Sequence, residues 1–334
     1  MEESREASHA GSWYKGNPKE LNRELEDFLD RVPATLDGAE LPINNARVII
    51  APHAGYSYSG PCAAWAYKTL DLRSAKRVFV LGPSHTYYLR GCALTTFDKY
   101  ETPFGDLVVD DATTSELRQT GLFADMPPRG EVDEHSLEMH MPYLWKRIEQ
   151  TFGNTDHPRI IPILVGNLSE EEEKFWGQLF SKYLKDPESA WIISSDFCHW
   201  GPRFSYRPKF RDGVICDLDK NHGVLRATPD WSQAAEDPER PAIHEVIKAL
   251  DQMAMDAVES GSHSEFSKVI RQTQNTVCGR HPIGVMLAAL EVVAKEEELA
   301  EKNGKFSFVQ YQRSNLVRKE GDSSVSYASA YAVV

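Results

Sequence analysis

Histidine recurs at the ends of apolar runs in this chain. Residues 46–52 (ARVIIAP) form a short β-branched run that leads into His53, and residues 77–85 (RVFVLGPSH) repeat the form and end on His85. In an open α/β sheet, ligands bind beyond the carboxyl ends of the strands. Two imidazoles at two such ends could therefore converge on one metal or one substrate. A single strand-end His more often caps a turn or bonds a carbonyl, and it is the repetition that favours a shared site. Pro52, Gly55, Gly82 and Pro83 stiffen these turns and let other groups approach the backbone closely. A further run, residues 190–200 (AWIISSDFCHW), ends in an acid, a thiol and an imidazole. Asp196 and His199 could act as acid/base partners, the carboxylate fixing the imidazole tautomer, or Asp196 could cap the turn. Ser195 lacks the Gly-x-Ser-x-Gly setting of a nucleophile elbow, and Cys198 reads as a buried structural thiol.

Cys278 stands in NTVCGRHPIG, just before a helix with Pro282 near its start. A thiol at a helix N-terminus feels the positive end of the dipole, and Arg280 adds charge; both favour the thiolate that binds metals or attacks electrophiles. The other reading is a small buried hydrophobe. His135 and Glu138, in HSLEMH, are three residues apart and share a helical face. They could form a metal pair, but a supporting or capping role is favoured, because the strand-end histidines already offer a site. No Gly-x-Gly-x-x-Gly or P-loop motif is present, so nothing argues for a nucleotide.

The elements that must position these residues alternate. The buried runs at 46–52, 77–85, 159–166 and 190–200 are separated by helical patterns at 59–70, 137–149 and 170–184, which implies a largely parallel sheet covered on both faces. Residues 203–241 are polar and rich in Pro, Asp and Arg, and read as a long loop excursion. Helices are expected at 242–259 and 281–302. The ends FSFVQYQRS and SSVSYASAYAVV alternate with period two and read as antiparallel additions to the sheet or its edge. With no repeat and no linker, residues 1–334 read as one three-layer α/β domain with a mostly parallel central sheet.

The 334 residues carry a net charge of −13 and 41% apolar residues. That is ordinary for a globular protein and gives nucleic-acid binding little support. No run approaches the ~18 apolar residues of a membrane span. The first residues, MEESREASHAGSWY, lack the basic and apolar regions of a signal peptide. Five cysteines with no paired spacing are a poor disulfide framework, so a reducing compartment is expected: the cytoplasm, with the nucleus also open.

Seven segments, in order, carry a family likeness: HAGSWY, IIAPHAGYSYSGPCAA, FVLGPSH, DEHSLEMHMPY, SSDFCHWG, NTVCGRHPIGVML and DSSVSYASAY. They resemble the Memo (mediator of receptor-driven cell motility) family and span nearly the whole chain. The resemblance implies a fold like that of class III extradiol dioxygenases, which hold Fe(II) with two histidines and a carboxylate. It maps the metal histidines onto His53 and His85, the acid/base histidine onto His199, and the third ligand onto Cys278. A thiolate in place of the carboxylate speaks against ring cleavage and suits iron(II) or copper. The family also binds phosphotyrosine peptides in this cleft, which by resemblance includes Trp13 and Tyr58. Two departures are local: Thr86 follows His85 where many relatives have a second His, and 207–241 is longer than in animal members.

Three functions follow as expectations. The first is an intracellular redox protein, a metal-dependent oxidoreductase if it is an enzyme, with Asp196 and His199 handling protons. Its roles would lie in redox, cytoskeletal or growth signalling. The second is a non-enzymatic adaptor for phosphotyrosine or acidic peptides and signalling proteins, with Arg280 and the histidines as donors. The third is a thiol enzyme using Cys278 with His199. Oligomeric state is left open.

Overall fold

Four apolar runs make the centre of a nine-stranded sheet. In the computed structural model, which describes residues 3–221, 223–229, 236–237, 239–300 and 303–334, they are β1 (Val48–Ala51), β2 (Arg77–Pro83), β5 (Arg159–Val165) and β6 (Ser189–Ser194). The remaining strands are β3 (Cys92–Leu94), β4 (Ala124–Asp125), β7 (His199–Trp200), β8 (Phe306–Arg313) and β9 (Ser324–Ala332). The order is β7-β9-β1-β6-β2-β5-β3-β4, with β8 paired to β9. The central four are mutually parallel. Antiparallel β9 and β3 flank them on either side. The last run is thus an interior strand, with β7 and β8 both paired to it besides β1.

Alternate residues of the central strands face opposite apolar layers, as the two-residue period of a strand requires. Ile49, Val80, Ile160 and Ile192 join one core with α1 (Pro18–Asp30), α2 (Tyr56–Thr69) and α3 (Met141–Phe152). Ile50, Phe79, Ile161 and Trp191 join the other. That second layer is α4 (Glu170–Leu184), α6 (His263–Thr273), α7 (Arg280–Glu296) and the later half of α5 (Ile243–Glu259). Both faces of the sheet are therefore buried, which explains why its strands read as unbroken apolar runs. Phe79 stacks on Trp191 with centroids 4.0 Å apart inside this second core.

Residues 203–241 differ from the expected loop. Pro208–Arg211 and Val214–Asp217 form a hairpin, and Gly223–Val224 adds a third strand. Asp212 and Gly213, both at positive φ, make the turn, as a two-residue hairpin of the primed type demands. Ile215 and Leu225 pack with Tyr206 against Val246 and Leu250 of α5. Residues 222, 230–235 and 238 of this expected loop, and 301–302 of the expected last helix, lie outside the described residues. All five cysteines are free. Among the described residues, no helix is long and apolar enough to cross a membrane.

Candidate functional site

The parallel strands all end on one edge of the sheet, and the candidate residues gather there. His53 follows β1, His85 follows β2, and Asp196 follows β6. The short helix His135–Glu138 lies directly on the end of β2. It can do so because residue 82 is glycine: a Cβ there would stand 2.7 Å from Ser136 Oγ and 3.0 Å from Leu137 Cδ2. Gly279 plays the same part for the thiol. A Cβ on it would stand 2.3 Å from the Ser194 carbonyl oxygen, so the turn before α7 can press Cys278 against the end of β6 only with glycine next to it.

The ring nitrogens of His53, His85 and His135 lie within 4.8 Å of one another. Cys278 Sγ is 3.2 Å from His53 Nε2 and accepts the Asp196 amide at 3.2 Å. Hydrogen bonds set the imidazole tautomers. Ser194 Oγ donates to the Ser136 carbonyl, so at 2.6 Å it accepts from His53 Nδ1. Glu134 accepts from His85 Nδ1 at 2.9 Å and from the His85 and Ser136 amides at 2.5 and 2.9 Å. His199 Nδ1 faces the carbonyls of Phe197 and Thr276 at 2.9 and 3.1 Å. In each ring Nδ1 carries a proton, so Nε2 is the nitrogen left to a metal once the ring is neutral, which is how a metal-ligating histidine is held. His135 Nδ1 is 3.6 Å from Glu134 Oε1.

Burial and charge poise the site. Burial holds His53 well below its ordinary range, and so neutral. Burial, with the charge on His85, lowers His135 to about 4. Burial pulls His85 down too, but Cys278 and Glu134 together outweigh it and raise it to about 10. Asp196 is pushed up to about 7 by burial, although it accepts the His53 amide at 2.8 Å. Burial also raises the Cys278 thiol, and its contact with His85 opposes the rise.

The other expected residues divide. Trp13, Tyr58 and His199 line the same cleft of about 630 Å³ as His53 and His85, together with Arg203 and Phe204. Trp13 packs on His135 at 4.5 Å between centroids. Glu138 does not join the cluster: its carboxylate is taken by Arg5 at 2.6 Å, His9 at 2.7 Å and Tyr14 at 2.7 Å. Arg280 lines a separate groove with Leu168, Phe266 and Ile270. Asp196 does not orient His199, whose partners are carbonyls. Sequence reasoning missed Glu134 and gave His135 only a supporting place, although both stand together in the DEHS segment.

Fold and site together define a three-layer α/β protein with a histidine cluster at the carboxyl edge of its sheet. Residues 5–331 match the family model described as Memo-like protein. The chain is 43% identical to Protein MEMO1 of Homo sapiens over 330 residues, covering 99% of this chain and 97% of that one. It is 40% identical to Protein memo-1 homolog of Caenorhabditis elegans over 333 residues, covering 100% of this chain and 83% of that one. The chain belongs to the Memo-like family. A solved structure, the uncharacterized protein JW3007 from Escherichia coli K12, superposes with a TM-score of 0.43 at 10% identity, covering 85% of this chain and 98% of that one.

Proposed function

We propose that this chain, acting as one domain, holds a redox-active iron(II) or copper ion among His53, His85 and Cys278, with His135 at the same centre. The observation that carries the reading is the set of hydrogen bonds that fix the rings: Ser194 and Glu134 accept from Nδ1 of His53 and His85, which leaves each Nε2 to the cleft beside a sulfur, and an ion bound there would displace the second proton that His85 carries at neutral pH. Imidazole with a soft thiolate suits iron or copper better than magnesium or calcium. A bound ion of this kind would supply one-electron redox chemistry. Asp196, with its pKa near 7, holds or releases a proton in the cleft at neutral pH. His199 presents an unprotonated Nε2 as a proton acceptor. Trp13 packs over one side of His135. Ring cleavage of the extradiol kind is not part of the reading, because Cys278 takes the place of the carboxylate. Free cysteines fit a reducing compartment, the cytoplasm with the nucleus also open.

Metal analysis of the purified protein and titration with Fe(II) and Cu(I) test this. One equivalent is expected in the wild type, with affinity at least ~10-fold lower in Cys278→Ser. Equal affinity in both, with loss in His135→Ala, would move the site to the three histidines. A second reading is a peptide adaptor, favoured by Arg203 in the cleft beside Trp13 and Tyr58. Saturable binding of a phosphotyrosine peptide to the metal-free protein, lost in Arg203→Ala, would support it.

A further inference from the structure

A row of aromatic rings leads from the cleft into the core below it. Trp13 packs on His135 with centroids 4.5 Å apart and the planes tilted by 32°, and is followed in the chain by Tyr14. Tyr14 lies 5.4 Å from Tyr56, Tyr56 lies 5.3 Å from Tyr143, and Tyr143 stacks on Tyr67 at 4.7 Å with the planes 4° from parallel. The four tyrosines are buried, and only Trp13 reaches solvent. Among the four tyrosines such spacing places neighbouring rings in or near van der Waals contact, and the backbone joins Tyr14 to Trp13.

The hydroxyl partners differ along the row, and the difference has chemical content. An oxidised phenol is a strong acid and is stable only if a base takes its proton. Tyr56 and Tyr143 donate to the carbonyls of Met139 and Gly60, which cannot hold a proton. Tyr14 donates to Glu138, whose charge is already engaged by Arg5 and His9. Tyr67 Oη is 2.7 Å from Nδ1 of His140, a fully buried imidazole whose Nε2 has no partner, while the His140 carbonyl is farther away at 3.4 Å. Of the four, only Tyr67 faces an imidazole; burial lowers His140 to about 3, which still leaves it a far stronger base than an oxidised phenol.

We propose that Trp13, Tyr14, Tyr56, Tyr143 and Tyr67 form a one-electron relay between the cleft and a tyrosine–histidine pair in the core. The inference rests on the redox reading of the cleft. The oxidant is a one-electron acceptor in the cleft, of the peroxyl-radical class. It takes an electron from Trp13 and a proton from cleft water, leaving hydroxide in the cleft, and departs as the hydroperoxide. Trp13 is refilled through Tyr14, Tyr56 and Tyr143, and Tyr67 is left as the neutral phenoxyl. The Tyr67 O–H bond breaks, and its proton forms an N–H bond on His140 Nδ1, giving the imidazolium. A thiol-class reductant in the cleft gives up one electron and its S–H proton, which the hydroxide takes to form water, and leaves as the thiyl radical; the electron returns by the same rings, and the proton on His140 Nδ1 goes back to Tyr67. The oxidising equivalent is thus moved away from His53, His85 and Cys278.

The test uses metal-free protein, so that it does not depend on metal binding. A ruthenium polypyridyl photo-oxidant is attached at Ser12→Cys, an exposed cleft position, in a Cys278→Ser background, and flash-quench oxidation is followed by transient absorption and EPR. A tyrosyl signal is expected in the parent, with its long-lived part cut at least tenfold in Tyr67→Phe and in Trp13→Phe, and its decay accelerated in His140→Phe. Equal yield and lifetime in the parent and Tyr67→Phe would overturn the relay and leave the rings as core packing. A signal lost in Tyr14→Phe but kept in Tyr67→Phe would overturn the Tyr67 terminus. Metal titration of the same variants is separate: loss of metal binding with an intact flash signal would refute the metal reading and not the relay.

Discussion

Replacing Glu138 by Gln should unfasten the N-terminal segment and remove a measurable part of the protein's acid sensitivity. Arg5 and Glu138 pair at 2.6 Å with 1% of each side chain exposed, and His9 and Tyr14 bind the same carboxylate. Burial raises the Glu138 pKa, but bonds to His9 and the charge of Arg5 outweigh it and bring it from 4.5 to about 2. A drop of about 2.5 units corresponds to about 3 kcal/mol. Because the folded value is depressed, this stabilisation is fully present above the unfolded pKa of ~4.3 and is lost as pH falls toward 2. In Glu138→Gln the Arg5 charge stays buried with its anion gone, which costs ~3–5 kcal/mol at neutral pH. Urea unfolding of both proteins at pH 7, 5, 4 and 3 reads the two effects. The variant should be less stable at pH 7, and the gap should shrink by roughly 1.5–2 kcal/mol by pH 3, the rest being lost only below the folded pKa of about 2. The comparison cancels Glu134 and Glu173, whose lowered pKa values act alike in both proteins. A gap that stays constant from pH 7 to 3 would show that ionised Glu138 is not the anchor.

Two further substitutions probe how the site is held. Glu134→Gln keeps the shape but removes the charge that binds His85 Nδ1 and three amides. Competition with a chromogenic chelator should show metal affinity ~10–100-fold lower, and unchanged affinity would reduce Glu134 to a helix cap. Gly279→Ala puts a methyl group 2.3 Å from the Ser194 carbonyl oxygen. It should cost ~1–3 kcal/mol in thermal unfolding and alter the alkylation rate of Cys278, whereas wild-type stability and thiol reactivity would mean that the turn before α7 is free to move.

What the sequence discloses about this site follows the range of the contacts involved. The strand-end histidines were legible because a buried parallel strand is a local pattern, and the residue after its last apolar position must face the carboxyl edge. His135 was harder to place. It reaches the cluster because Ser136 and Leu137 rest on Gly82, a contact across more than fifty residues that leaves only one glycine as its sign. Glu138 was assigned to the cleft by helical spacing from His135, but their helix is a single turn, His135–Glu138, and the three groups that claim the carboxylate come from residues 5–14. The segment 203–241 was read from composition as a loop, which overrode a short-range signal within it. Asp212-Gly213 is the dipeptide that a primed hairpin turn needs, and KFRDGVICD places it between residues that pair as Phe210 with Ile215 and Lys209 with Cys216. Composition averages over the whole segment, whereas a hairpin is decided at two residues. The same logic separates Cys278 from the other four cysteines. Cys278 alone of the five sits on a turn whose glycine lets it press against the backbone of β6, beside His53. The side chain supplies the chemistry, and a neighbour with no side chain puts it in place.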